Sequence, residues 1–210
     1  MILQDAAILG TISALWLAAM VVPGPDFLLI TRLSITRGRS SALRASLGIA
    51  TGVASWGTAG FFGIHALFIA SPWLYLALKI IGGTYLLILG LRLFAGSWKR
   101  PEPAEQGPAP KRNGRAFRLG LLTNLSNPKA PLFVSSLFAA TMPPHPLPAL
   151  GVMAIGLMFT IAVAWLSFVA CFLTIRRFAD CFTRLRHWID RVSGVAFMAF
   201  GSTLVLDRSS

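Results

Sequence analysis

The chain has 210 residues, 55% of them hydrophobic and 12% charged, yet its net charge is +12. A soluble domain carries about 25% charged residues, so this chain has too few to clothe a soluble surface. Its basic residues stand in short clusters between long apolar runs, which excludes a soluble nucleic-acid binder and is the pattern of a polytopic membrane protein.

Six apolar runs follow in order: Ala6 to Ile30, Ala42 to Ala70, Trp73 to Ala95, Phe117 to Thr141, Leu147 to Ile175 and Trp188 to Leu206. A helix needs about 20 residues to cross a bilayer. Membrane β-strands would be about half as long and alternate in polarity. The runs predict an all-α integral membrane protein of six transmembrane helices, with no room for a separate soluble domain. No Lys or Arg precedes the first run, so it reads as a retained span and not a secretory leader. Cys171 falls in an apolar run and Cys181 in a basic loop. Both read as free thiols. Two Cys and three scattered His offer no metal-ligand spacing.

The connections differ sharply in charge. The first holds Arg32, Arg37, Arg39 and Arg44. The third holds Arg92, Lys99, Arg100, Lys111, Arg112, Arg115 and Arg118, and the fifth holds Arg176, Arg177, Arg184, Arg186 and Arg191. These are sixteen of the nineteen basic residues. Basic connections stay in the cytoplasm. Both termini are therefore expected outside, on the periplasmic face.

Two features repeat. Gly83 and Gly90 in the third run are seven apart, as are Gly194 and Gly201 in the sixth. The first and fourth runs are each interrupted by proline beside a charge, Pro25 with Asp26 and Pro128 with Lys129. The pattern predicts one transporter domain over residues 1–210: a repeat over 1–95, a flexible proline-bearing linker over 96–116, and a second repeat over 117–210. Three spans per repeat is odd, so the second repeat must enter the membrane inverted, a plan used by secondary transporters. Seven-spaced glycines also serve close helix packing.

Pro23 and Pro25 remove two backbone donors, and Gly24 between them loosens the chain. Asp26 then falls in the first turn of whatever helix restarts, where the helix dipole favours a carboxylate. It reads either as a cap beside a kink or as part of a broken helix lining a substrate path. An acid within a span is costly enough to suggest function. Asn124, Asn127, Pro128 and Lys129 lie near mid-depth in the fourth run, and Pro128 frees the Asn124 carbonyl. Lys129 is too deep to snorkel easily. It needs a partner, and Asp26 is the acid in a span interior. The two either form a structural ion pair or part to receive a zwitterion, Lys129 taking the carboxylate and Asp26 the ammonium. Tyr85 could offer a hydroxyl to a cavity or belong to the core. No nucleophile with its base, paired aspartates or zinc helix suggests catalysis.

At these residues the chain resembles the LysE/RhtB amino-acid exporters. The matching segments are PGPDFLLITRLSITRGRSSALRASLGIATG, LKIIGGTYLLILGLRLF, FRLGLLTNLSNPKAPLFVSSLFA and RVSGVAFMAFGSTLVL. The resemblance covers most of the chain and carries Gly24, Pro25, Asp26, Asn127, Pro128 and Lys129 as motif positions. Asp26 stands where many relatives have Asn. The resemblance implies a carrier in the bacterial inner membrane, not an enzyme, that needs no cofactor. It would export amino acids or analogues by alternating access, with protons as coupling ion. A homo-oligomer is compatible with it. The alternative is export of metal cations or another small metabolite on the same fold, although cation export calls for clustered carboxylates, His or Cys.

Overall fold

The computed structural model describes residues 2–70, 72–98, 115–127, 129–143, 146–172 and 176–206. Residues 99–114 of the linker proposed over 96–116, and Pro128, lie outside the described residues. The described residues form eight helices and no strand. In chain order these are α1 (Ile2–Val21), α2 (Pro25–Arg37), α3 (Arg39–Ala70), α4 (Pro72–Gly96), α5 (Ala116–Leu125), α6 (Lys129–Thr141), α7 (Pro148–Phe172) and α8 (Arg176–Leu206).

The excess over six comes from the two proline interruptions. The first apolar run divides into α1 and α2, and the fourth divides into α5 and α6. Among the described residues, Gln4–Val21 and Pro148–Phe172 are long and apolar enough to cross a membrane alone, and Ile80–Gly96 is a shorter apolar stretch. The divided halves are individually too short, with α5 at 10 residues and α6 at 13.

Two basic connections differ from expectation. The first is not a loop. It is a single residue, Gly38, with φ +81°, between α2 and α3. Glycine takes this left-handed region without the cost of a Cβ. The fifth is also helical, because α8 begins at Arg176 and not near Trp188. Cys181 is therefore an exposed helical residue. Arginine is a good helix former, so the helices extend past their apolar runs.

Small residues set the closest packing. A Cβ at Gly48 would strike the Phe117 carbonyl, and one at Gly120 would strike that of Ala45, so the α3 and α5 backbones touch. The seven-spaced glycines of α4 and α8 meet one another. A Cβ on Gly90 would stand 2.6 Å from the Gly194 oxygen, and one on Gly201 would stand 2.6 Å from the Gly83 oxygen. Rising numbers on α4 meet falling numbers on α8, so the pair is antiparallel. The same holds for α3 and α7, where Gly57 faces Ile155 and Phe61 faces Gly151. A buried aromatic chain ties α1, α6 and α8 together: Trp16 to Phe133 at 5.9 Å and Phe133 to Phe197 at 5.2 Å between ring centroids. Large apolar side chains such as Ile35, Phe62, Ile81, Val152 and Leu206 face outward.

Candidate functional site

The site is built where the two helix breaks meet. Pro23 has no N–H to give the carbonyl four residues earlier, that of Ala19. This orphan oxygen at the end of α1 accepts from Lys129 Nζ at 3.4 Å. After the extended Gly24, Pro25 occupies the first turn of α2, and the Leu28 N–H donates to the Gly24 carbonyl at 2.9 Å. Asp26 lies in that first turn, as its spacing predicted. It is not the cap, since the cap position is Gly24 and has no side-chain hydrogen bond. Instead Asp26 Oδ2 accepts from Asn124 Nδ2 at 2.8 Å, across 98 residues of sequence. Asp26 Oδ1 is buried with no hydrogen-bond partner.

The second break is organised by Asn127. Its N–H donates to the Asn124 carbonyl at 3.1 Å, recapturing the oxygen that a proline at 128 leaves free. Its Oδ1 accepts from the Lys129 N–H at 3.1 Å, and its carbonyl accepts from the Ala130 N–H at 3.1 Å. Asn127 thus holds orphan donors at the start of α6. Lys129 is the first residue of α6. A cation there opposes the helix dipole, so its position calls for an anion.

Of the two readings left open by the sequence, the structural ion pair is not formed among the described residues. Asp26 and Lys129 form no contact within salt-bridge distance. Among the described residues the salt bridge seen is Arg186 to Asp190, at 3.8 Å. Asp26 is held by Asn124 and Lys129 by a backbone carbonyl, which leaves both charges uncompensated. A cavity of about 50 Å³ opens between them, lined by Asp26, Asn124, Asn127 and Lys129 with Trp16 and Phe133 beneath.

The predicted residues divide accordingly. Gly24, Asp26, Asn124, Asn127 and Lys129 come together at this cavity. Pro25 sets the turn that carries Asp26 and is not itself a lining residue. Tyr85 is not brought to the cavity; it is half-buried on α4 and packs against the apolar core. Two contributors escaped the sequence reading. One is the Ala19 carbonyl, which the proline at 23 could have signalled. The other is Gly52 on α3. A Cβ at Gly52 would stand 2.6 Å from Asn124 Oδ1, so this glycine makes room for the side chain that holds Asp26.

Known proteins resemble this chain in sequence. The family model described as LysE type translocator matches residues 17–208. A threonine efflux protein of Salmonella typhi is 31% identical over 200 residues, covering 94% of this chain and 97% of the relative. A threonine efflux protein of Escherichia coli is 31% identical over 204 residues, with the same coverage of each chain. An uncharacterized membrane protein of Haemophilus influenzae is 28% identical over 203 residues, covering 90% of this chain and 91% of the relative. No solved structure matches the chain. Proline-broken helices carrying opposite charges, and a family match over nearly the whole length, lead to one conclusion: the chain belongs to the LysE type translocators, membrane transport proteins and not enzymes.

Proposed function

We propose that the protein is a secondary exporter of small zwitterionic amino acids across the bacterial cytoplasmic membrane. The observation that carries this reading is the pair of opposite, unpaired charges across one cavity. Asp26 presents a free carboxylate oxygen to an ammonium. Lys129 is held by a single 3.4 Å bond that a carboxylate would outcompete. At about 10–15 Å³ per water on the same measure, the cavity has room for about four waters, which suits a short side chain. The threonine efflux relatives support the same class.

The reading includes six spans in a 3+3 inverted repeat, alternating access and coupling to the proton motive force. The antiparallel α4–α8 and α3–α7 pairs support the repeat. So does the exchange of contacts between repeats: α3 packs on α5, and its counterpart α7 packs on α1. Connections one, three and five are placed in the cytoplasm by their charge. With Cys171 and Cys181 replaced by serine, a cysteine introduced at Glu102 will react with an impermeant maleimide only in inside-out vesicles. Labelling in intact cells would reverse the orientation.

Counterflow tests the function. Proteoliposomes loaded with unlabelled amino acids, then given a labelled trace, will accumulate one group of small neutral amino acids. No accumulation for any amino acid by folded protein would return the cation or other-metabolite reading. A second expected result concerns Gly52. Gly52→Ala pushes on Asn124 and shifts Asp26, raising the transport KM about tenfold, which is about 1.4 kcal/mol, with little change in protein yield. An unchanged KM would remove Gly52 from the site.

A further inference from the structure

Lys129 has a second carboxylate within reach of its charge, and it is not one of the motif residues. Asp190 lies on α8, one position before Arg191. Its Oδ1 is buried with no hydrogen-bond partner, and its Oδ2 has the long 3.8 Å contact to Arg186 on its own helix. Lys129 of α6 is near enough to act on Asp190 electrostatically, as are Arg186 and His187 on its own helix. Asp26 and Asp190 both act on Lys129 in this way.

The helix register explains this proximity. Phe133 of α6 and Phe197 of α8 are in ring contact at 5.2 Å. Lys129 is four residues before Phe133, and Asp190 is seven before Phe197. Both spacings return to the same helix face. The lysine and the second acid therefore each fall on the side of their helix that bears the contacting ring, about one turn and two turns before it. Arg191, the neighbour of Asp190, does not compete for it. Its guanidinium sits 4.5 Å from the Trp98 ring centroid and donates to Ser97 Oγ at 3.2 Å.

We propose that Asp190 is the resting partner of Lys129 in the empty carrier, displaced when the cargo carboxylate arrives. This rests on the exporter reading above. A buried lysine at a helix N-terminus is costly without an anion. During loaded transport the cargo supplies one. During the empty return nothing does, unless a protein carboxylate swings in. Asp26 and Asp190 each keep one oxygen without a partner, but on the exporter reading that of Asp26 belongs to the cargo ammonium, whereas that of Asp190 has no such role. Asp190 is thus a positioning residue that acts through Lys129. It matters for the half of the cycle that carries no cargo.

The test separates the two halves of the cycle in proteoliposomes. Homoexchange needs only the loaded carrier; net efflux needs the empty return. Asp190→Asn is expected to lower net efflux about tenfold while homoexchange stays within about twofold. Asp190→Glu is expected to restore most of the net efflux. Should the asparagine variant fail to fold, Asp190→Ser provides the same comparison. Equal losses in both modes would make Asp190 merely structural and overturn the proposal, as would no loss in either. Absence of homoexchange in the unaltered protein would instead overturn the exporter reading beneath it.

Discussion

Replacing Lys129 by alanine will lower transport about a hundredfold and leave the protein folded. Among the described residues the lysine takes part in no salt bridge, and its Nζ makes one long hydrogen bond, to the Ala19 carbonyl. Its removal relieves a cation from the wrong end of α6 and puts the best helix former in its place. The cost falls on cargo. A hydrogen bond to a charged group contributes about 1.5–3 kcal/mol, and the upper figure is about a hundredfold in affinity. Asp26→Asn will act more gently, near tenfold, because the amide still accepts from Asn124 while losing the charge that holds an ammonium. Initial rates of counterflow, with thermal melting in detergent as the control for folding, check both. Full transport with unchanged KM in both variants would move the site elsewhere.

The second large effect is on stability. Gly120→Leu and Gly48→Leu will each destabilise by about 3 kcal/mol or more, the upper end for overpacking. Backbone, not a yielding side chain, stands where each Cβ must go, namely the Ala45 and Phe117 carbonyls. The α3 and α5 helices would have to part, and α5 carries Asn124 toward Asp26 at its far end. Gly10 and Gly63 supply the comparison, since nothing lies within 4 Å of a Cβ at either. Melting temperatures should fall steeply for the first pair and barely for Gly10→Leu and Gly63→Leu. Equal shifts in all four would refute the close α3–α5 approach.

Much of this was legible in the sequence. Apolar runs gave the helices because length and hydrophobicity govern what spans a bilayer. Pro23, Gly24 and Pro25 gave the break, and Asp26 fell in the first turn of α2 because Pro25 fixes where that helix starts. The seven-spaced glycines were read as a repeat or as packing, and in the structure they pack on each other. The first and fifth basic connections are helical where loops were expected. Charge reports which side of a membrane a segment faces, not its backbone conformation, and arginines sit comfortably in α2, α3 and α8. An Asp26–Lys129 ion pair was one of two readings that their opposite charges left open. Its absence follows from the partners each found: Asn124, and a carbonyl released by Pro23. No spacing announces a contact across 98 residues. Nor did any pattern tell Tyr85 apart from a cavity hydroxyl. A phenol in an apolar run looks the same whether it faces a path or a core.

The central claim is that one small molecule bridges Asp26 and Lys129 through its own two charges. Competition by analogues stripped of one charge tests it most directly. In counterflow of the preferred amino acid, the matching amine without a carboxylate and the matching carboxylic acid without an ammonium are each expected to inhibit at least about tenfold more weakly than the zwitterion. Inhibition by either analogue equal to that of the zwitterion would contradict the two-charge site.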